Sequence, residues 1–247
     1  MTAYRKELDI LLSMCASLHE KSTSPKLINK EQFPPIFTFE GLAGSGKSTQ
    51  IKLVTEKLEQ EYGKPAYLEV PNHSGVAKVL RTLYQDQKNY TKLQEEVPWL
   101  NPLFVMVDLY TKLQQITEEG YNYIFMSRGL FSTLYYNLEA FERAGNTPKE
   151  AWDEIYFLCT EFIRPKATIF LDIPIETALL RIEQRNRLPK RESDTEEGLQ
   201  RSLKSFQMIF EQFSGEVPIH YVSGVGAEMD VTKRICNEIK PYLRGIK

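Results

Sequence analysis

The sequence predicts a three-layer α/β fold: a five-stranded parallel sheet with helices on both faces and a lid at one end. Five short apolar runs alternate with segments of helical periodicity, a glycine-rich loop joins the first run to the first helix, and a knot of arginine and lysine residues separates two later helices. With 247 residues, 42% of them hydrophobic, the chain can bury one substantial core. We therefore expect one main domain over 36–247, preceded by a helical extension over 1–35.

In the extension, Leu8, Leu11, Leu12, Cys15 and Leu18 share one face of a helix over 4–20, and a polar stretch and Pro34-Pro35 separate it from the first strand. That helix packs on the body of the domain or offers a partner surface. Its acids Glu7, Asp9 and Glu20 argue against a mitochondrial presequence. Next, Ile36-Phe37-Thr38-Phe39 reads as a buried strand, and Ile51, Val54 and Leu58 set a helix over 50–62. Between them lies Gly41-Leu42-Ala43-Gly44-Ser45-Gly46-Lys47-Ser48-Thr49. The glycines let successive backbone N–H groups turn toward phosphate oxygens, Lys47 reaches the β- and γ-phosphates, and Ser48 offers its hydroxyl to Mg²⁺. Strand, loop and helix come in the order that a nucleoside-triphosphate cradle requires, so ATP and Mg²⁺ are the expected cofactors.

The strand over 66–69 ends on Glu69. Ligands of open α/β sheets gather beyond the carboxyl ends of the strands, which makes Glu69 a candidate carboxylate for the reacting centre. A turn with His73, read as a loop histidine, leads to a helix carrying Val76, Val79, Leu80 and Leu83. Arg81 on that helix binds a phosphate or lies on a wet face. A long helix over 98–119 stops at Gly120, and the strand over 123–126 runs into Ser127-Arg128-Gly129 and a helix over 130–143. From its strand end, Arg128 can aim into the same crevice as Lys47. A helix over 148–163 precedes the strand over 168–172, whose last residue, Asp172, is a candidate for facing Mg²⁺. Arg181, Arg185, Arg187, Lys190 and Arg191 then crowd the stretch between helices over 175–184 and 195–213. Beside a phosphate cradle, a basic helix–loop–helix suits a lid that closes over a triphosphate. A strand over 218–222, a turn and a helix to 243 complete the chain.

The net charge of −2 provides no general attraction to nucleic-acid polymers or membranes, and the expected partner is a small nucleotide. No apolar run approaches the roughly 20 residues of a membrane span. Cys15, Cys159 and Cys236 are too scattered for a disulfide framework or a metal site, and a cytoplasmic location is expected.

Together these motifs resemble the thymidylate kinase family of nucleoside monophosphate kinases over 36–243. Phe39-Glu40-Gly41 through Thr49-Gln50 matches the family's opening pattern, except that Ala43 stands where members usually carry aspartate. Glu69-Val70-Pro71-Asn72-His73-Ser74 falls on the family's Arg-Glu-Pro-Gly-Gly-Thr loop, which assigns Ser74 to the acceptor and puts Arg81 on a phosphate-contacting arginine. Ser127-Arg128-Gly129 occupies the Asp-Arg-Tyr position, keeping the arginine and lacking the acid. Thr133 and Tyr136 continue that register at positions that face the nucleobase, and Phe104 joins them as an acceptor-site candidate. The stretch 168–185 resembles the strand and helix that carry Arg181 and Arg185 toward ATP, and Glu192 fits the lid acid.

The resemblance implies a P-loop fold and ATP- and Mg²⁺-dependent phosphoryl transfer to a pyrimidine nucleoside monophosphate, dTMP first. Lys47, Glu69, Arg128, Arg185, Arg187 and Arg191 would stand at the reacting centre, and a homodimer is implied. The long helix departs from the family, because 99–111 holds no basic residue where members carry an arginine for the monophosphate. Deoxyribonucleoside kinases share the architecture and use a glutamate after the second strand with an acid-arginine-serine motif, which Glu69 and Arg128 fit in part. The missing acids at 43 and 127 motivate a third reading, a catalytically silent nucleotide-binding protein that works through partners.

Overall fold

The computed structural model describes residues 33–69, 82, 85, 87–162, 164–185, 192–212 and 215–245. The amino-terminal helix, the helix expected around Val76 to Leu83, and His73, Ser74, Arg81, Arg187, Lys190 and Arg191 lie outside the described residues. The strands are β1 (Ile36–Gly41), β2 (Pro65–Glu69), β3 (Tyr123–Ser127), β4 (Ala167–Asp172) and β5 (Ile219–Ser223). The helices are α1 (Lys47–Tyr62), α2 (Gln87–Glu96), α3 (Leu100–Glu118), α4 (Leu130–Arg143), α5 (Pro148–Phe162), α6 (Ile175–Gln184), α7 (Glu196–Gln212) and α8 (Glu228–Leu243).

All four strand pairings are parallel and the order is β2-β3-β1-β4-β5, the five-stranded parallel sheet that the alternation of elements predicts. Every residue of β1 and β3 is buried, as strands covered on both faces must be. Side chains alternate between two layers. Phe37, Phe39, Phe125, Ile169 and Leu171 meet α1 and α8 on one face. On the other, Ile124, Met126 and Phe170 meet α3, α4, α5 and α7. Thr38 and Thr168 are polar within this apolar sheet, and their hydroxyls satisfy each other at 2.7 Å.

Because β1 lies between β3 and β4, the chain changes direction there, and a crevice opens beyond the carboxyl ends of these three strands. The register sets Phe39 beside Ser127 and Gly41 beside Leu171, so the glycine loop, Arg128 and Asp172 emerge at one edge. Two details depart from the sequence reading. Helix α1 starts at Lys47 rather than 50, since Gly46 in left-handed geometry (φ +97°) turns the loop straight into the helix. Helix α2 was not expected, because its only apolar-bodied residues are Tyr90 and Leu93 among polar ones. No helix among the described residues is long and apolar enough to cross a membrane.

Candidate active site

The glycine loop closes tightly on the sheet. A Cβ on Gly41 would lie 2.7 Å from the Leu171 carbonyl oxygen, and one on Gly44 equally close to that of Ala178, at φ +138° and +79°. Only glycine fits at these two positions. Lys47 is 8% exposed, and its Nζ donates to the Gly41 and Leu42 carbonyls at 2.9 and 2.8 Å and to Ser45 Oγ at 3.2 Å. Ser45 is buried, whereas Ser48 and Thr49 are exposed on the first turn of α1. Burial, reinforced by the positive charges of Arg128 and Arg185, pulls the Lys47 ammonium down to about 7 against the opposing pull of Glu40. Triphosphate oxygens placed beside it favour the charged form. Above about pH 7, ATP binding is therefore expected to take up a proton at Lys47. Calorimetry at about pH 8 in two buffers of different ionisation enthalpy measures this uptake; proton-neutral binding would contradict it.

Arg128 comes directly after β3 with φ +65°, a conformation that costs a non-glycine residue about 1–2 kcal/mol. Its guanidinium carbon lies 5.8 Å from the centre of the Tyr136 ring. Arg128 and Lys47 line one pocket, shared with Gly41, Leu42 and Ala43 of the loop, Ser132, Tyr135 and Tyr136 of α4, Ser193, and Ser202 and Phe206 of α7. Among the described residues, two cations and no carboxylate line it.

Glu40 has no role in the sequence reading beyond its place in the opening motif, and the structure gives it prominence. It is the penultimate residue of β1, 0% exposed inside the protein, and accepts hydrogen bonds from the Gly129 and Ser132 N–H groups at 2.9 and 3.2 Å and from Ser132 Oγ at 2.5 Å. Burial pushes its carboxyl up; these bonds and Lys47 pull the other way. An acid in an otherwise apolar strand was the available signal. Gly129 beside it has no room for a side chain, since a Cβ would stand 2.4 Å from Thr38 Cγ2. Gly129→Ala is expected to cost about 1–3 kcal/mol through overpacking and to lower the thermal midpoint measurably. An unchanged midpoint would show that the Thr38 side chain can yield.

On the α1 face of the sheet, the Tyr67 hydroxyl interacts with the side chains of Ser48, Ser127 and Glu69. Glu69 is exposed at the end of β2 and pairs in register with Ser127. Tyr67 carried no signal beyond an apolar-looking position on a strand. Ser48, Ser127 and Glu69 each act on the Tyr67 hydroxyl, and oxygens of this kind suit a hard cation such as Mg²⁺, which keeps most of its ligands from water and substrate phosphates. Among the described residues, no three His, Cys, Asp or Glu side chains gather as a metal site, so a Mg²⁺ ion would take few ligands from them. Asp172, a candidate for facing Mg²⁺, is exposed beyond Phe170 on the α7 face, where its charge acts on Tyr221. Strand alternation separates it from Ser48, which stands on the other face, and the acid near Ser48 is Glu69.

Arg181 braces the cradle: its guanidinium donates to the Gly44, Ser45 and Gly224 carbonyls at 3.5, 3.3 and 3.0 Å, tying the loop to the turn after β5. Arg185 caps the end of α6 from an exposed position near enough to influence Lys47. Tyr136 is 44% exposed at the pocket. Thr133 is buried, with its hydroxyl donating to the Gly129 carbonyl at 3.0 Å, and Phe104 packs against the α3–α4 core. The structure thus gathers Lys47, Arg128, Arg185 and Tyr136 around the loop, while Thr133 and Phe104 are not among the residues that line this pocket.

The sequence model of the thymidylate kinase family matches residues 39–225, the span that holds the cradle, Arg128 and the basic stretch. The chain belongs to this family. A probable thymidylate kinase of Sulfolobus acidocaldarius is 30% identical over 154 residues, covering 61% of this chain and 70% of its own length. The thymidylate kinase of a Thermoanaerobacter species is 27% identical over 214 residues, covering 83% and 97%. Among solved structures, a thymidylate kinase from Candida albicans superposes with a TM-score of 0.58 at 18% identity, over 85% of this chain and 92% of its own. At that identity the likeness concerns the fold alone, the three-layer sheet with helices on both faces. Family membership makes the chain a nucleotide kinase of the nucleoside monophosphate type, a group that uses ATP with Mg²⁺.

Proposed function

We propose that this kinase transfers the γ-phosphoryl group of ATP to a pyrimidine nucleoside monophosphate, dTMP first. The observation that carries the reading is the pocket beside the glycine loop, which Lys47 and Arg128 line and where no carboxylate among the described lining residues would repel an anion. An acceptor phosphate oxygen attacks the γ-phosphorus, and the bond from that phosphorus to the β-γ bridging oxygen breaks, leaving ADP. Such a transfer requires alignment and charge stabilisation more than covalent help. The Ser48 hydroxyl and Glu69 would hold a Mg²⁺ ion, which would supply positive charge to the triphosphate. Lys47 trades its loop carbonyls for phosphate oxygens, Arg128 holds the acceptor phosphate, and Arg185, with Arg187 and Arg191, meets the charge of the transferring group. Ser74 and Arg81 are assigned to the acceptor by the motif alignment, and Tyr136 offers an exposed ring against which a base can stack.

One observation favours a second acceptor, a deoxynucleoside hydroxyl: Glu69 stands beside Ser48 and Ser127 through Tyr67, where a carboxylate can take a hydroxyl proton. A coupled ADP-release assay over pyrimidine and purine nucleosides and nucleoside monophosphates decides. Turnover with dTMP or another pyrimidine monophosphate supports the first reading and turnover with nucleosides the second. Failure with every acceptor, despite ATP binding, would favour a silent nucleotide-binding protein. The implied homodimer is read by sedimentation of the full chain.

A further inference from the structure

We propose that Glu40 is a positioning residue for phosphoryl transfer: from the end of β1 its carboxylate caps α4 and thereby aims Arg128 into the pocket. The proposal rests on the phosphate-holding role assigned to Arg128 above. A helix leaves its first N–H groups without partners inside the helix, and a side chain at the preceding residue usually satisfies one of them. Gly129 occupies that preceding position for α4 and has no side chain to give. The Ser132 N–H, the third of the helix and the usual target of such a cap, instead donates to Glu40 Oε1, which also accepts the Gly129 N–H. The second carboxylate oxygen is held by the Ser132 hydroxyl. A negative group at this helix end also interacts favourably with the helix dipole.

A fully buried carboxylate is costly unless it is bonded in this way, so Glu40 is an expensive choice for a cap that a serine at 129 would otherwise provide. The packing explains why the cap is not at 129: the end of α4 presses on Thr38, which leaves no space for a side chain there. Arg128 sits between two anchors from consecutive residues of β1. Its own N–H donates to the Phe39 carbonyl at 3.2 Å, and the next N–H donates to Glu40. Left-handed backbone at a non-glycine residue persists only where its surroundings over-determine it, and these two anchors do so. From this geometry the guanidinium reaches the pocket beside Tyr136 and within range of Lys47.

A double-mutant cycle tests the assignment, because groups that act through one another are non-additive. Arg128→Ala is expected to lower kcat/KM by about a hundredfold. Glu40→Ala should lose about thirtyfold and raise the acceptor KM more than that of ATP. The double variant should be no worse than Arg128→Ala within about threefold. Glu40→Gln retains an oxygen for the two N–H groups and turns its amide toward the Ser132 hydroxyl, so it should stay within about threefold of wild type. Glu40→Asp keeps the charge but is one carbon short, and should resemble Glu40→Ala. Losses that multiply in the double variant, or Glu40→Asp matching wild type, would overturn the assignment. If Glu40→Ala does not fold, the same cycle with Glu40→Asp carries the test. Calorimetric affinity for dTMP and for pyrophosphate, measured on the same variants, reads the coupling without turnover. Coupled affinities with no turnover would retain Glu40 and reject the kinase reading; turnover with independent losses would do the reverse.

Discussion

Lys47→Ala is expected to lower kcat/KM by at least about a hundredfold while the protein remains folded. Removing one preorganised positive group from a transferring phosphoryl typically costs on the order of 3 kcal/mol. Here the group is nearly enclosed, 8% exposed, and the low-dielectric surroundings that depress its affinity for a proton also strengthen its attraction to a phosphate oxygen. The ammonium already points at the mouth of the loop, donating to the Gly41 and Leu42 carbonyls and to Ser45. Those carbonyls line the pocket, where water can replace the lost donor, so the thermal midpoint should move by only a few degrees. Lys47→Arg should not restore activity, because a guanidinium presents its donors in a fixed planar fork and cannot reproduce the compact ammonium that meets the Gly41 and Leu42 carbonyls and Ser45. The check is steady-state kinetics of wild type and both variants on the best acceptor, with melting curves alongside. Near wild-type turnover in Lys47→Ala would remove the cradle from the mechanism.

The parts of this site that could be read in the sequence are those whose chemistry is local. Gly41 to Thr49 announces its geometry because a backbone that cradles phosphate needs left-handed turns, and only glycine supplies them cheaply. The strands β1, β3 and β4 were legible because burial on both faces demands continuous apolar runs. What stayed hidden depends on contacts far apart in the chain. Glu40 meets Ser132 across 92 positions, and only the packing of α4 against β1 brings them together. The bond that the Thr133 hydroxyl donates to the Gly129 carbonyl four residues back was not legible either. Asp172 and Glu69 both end strands, and the sequence made each a candidate for the site. What it did not show is that the pleat sets them apart, since side chains of opposite parity leave the sheet on opposite faces. Arg181 was expected at ATP and braces the loop that would hold it.

Glu69→Gln is expected to have an effect whose size reports the acceptor. The carboxylate stands at the end of β2, exposed, with the Tyr67 hydroxyl linking it to Ser48 and Ser127, where family members carry their acid at 127 and this chain carries serine. A nucleoside hydroxyl must lose its proton as it attacks, and a positioned base commonly contributes about 10² to 10⁴ in rate. With such an acceptor, kcat should fall by at least about a hundredfold while ATP affinity barely changes. A monophosphate arrives already ionised and needs no base. The loss should then be about tenfold or less in kcat and fall mainly on acceptor binding and on the Mg²⁺ concentration required for half-maximal rate. Tyr67→Phe separates the two roles of the cluster. It leaves the carboxylate and removes its link to Ser48, so a metal role predicts a raised Mg²⁺ requirement in both variants, and a base role predicts a large kcat loss in Glu69→Gln alone. Both constants and the Mg²⁺ dependence are to be measured on the best acceptor, after melting curves show equal stability. An unchanged Mg²⁺ requirement and an unchanged kcat in Glu69→Gln would return Glu69 to a solvated acid at a strand end, and would leave Lys47 and Arg128 to organise the transfer without a carboxylate.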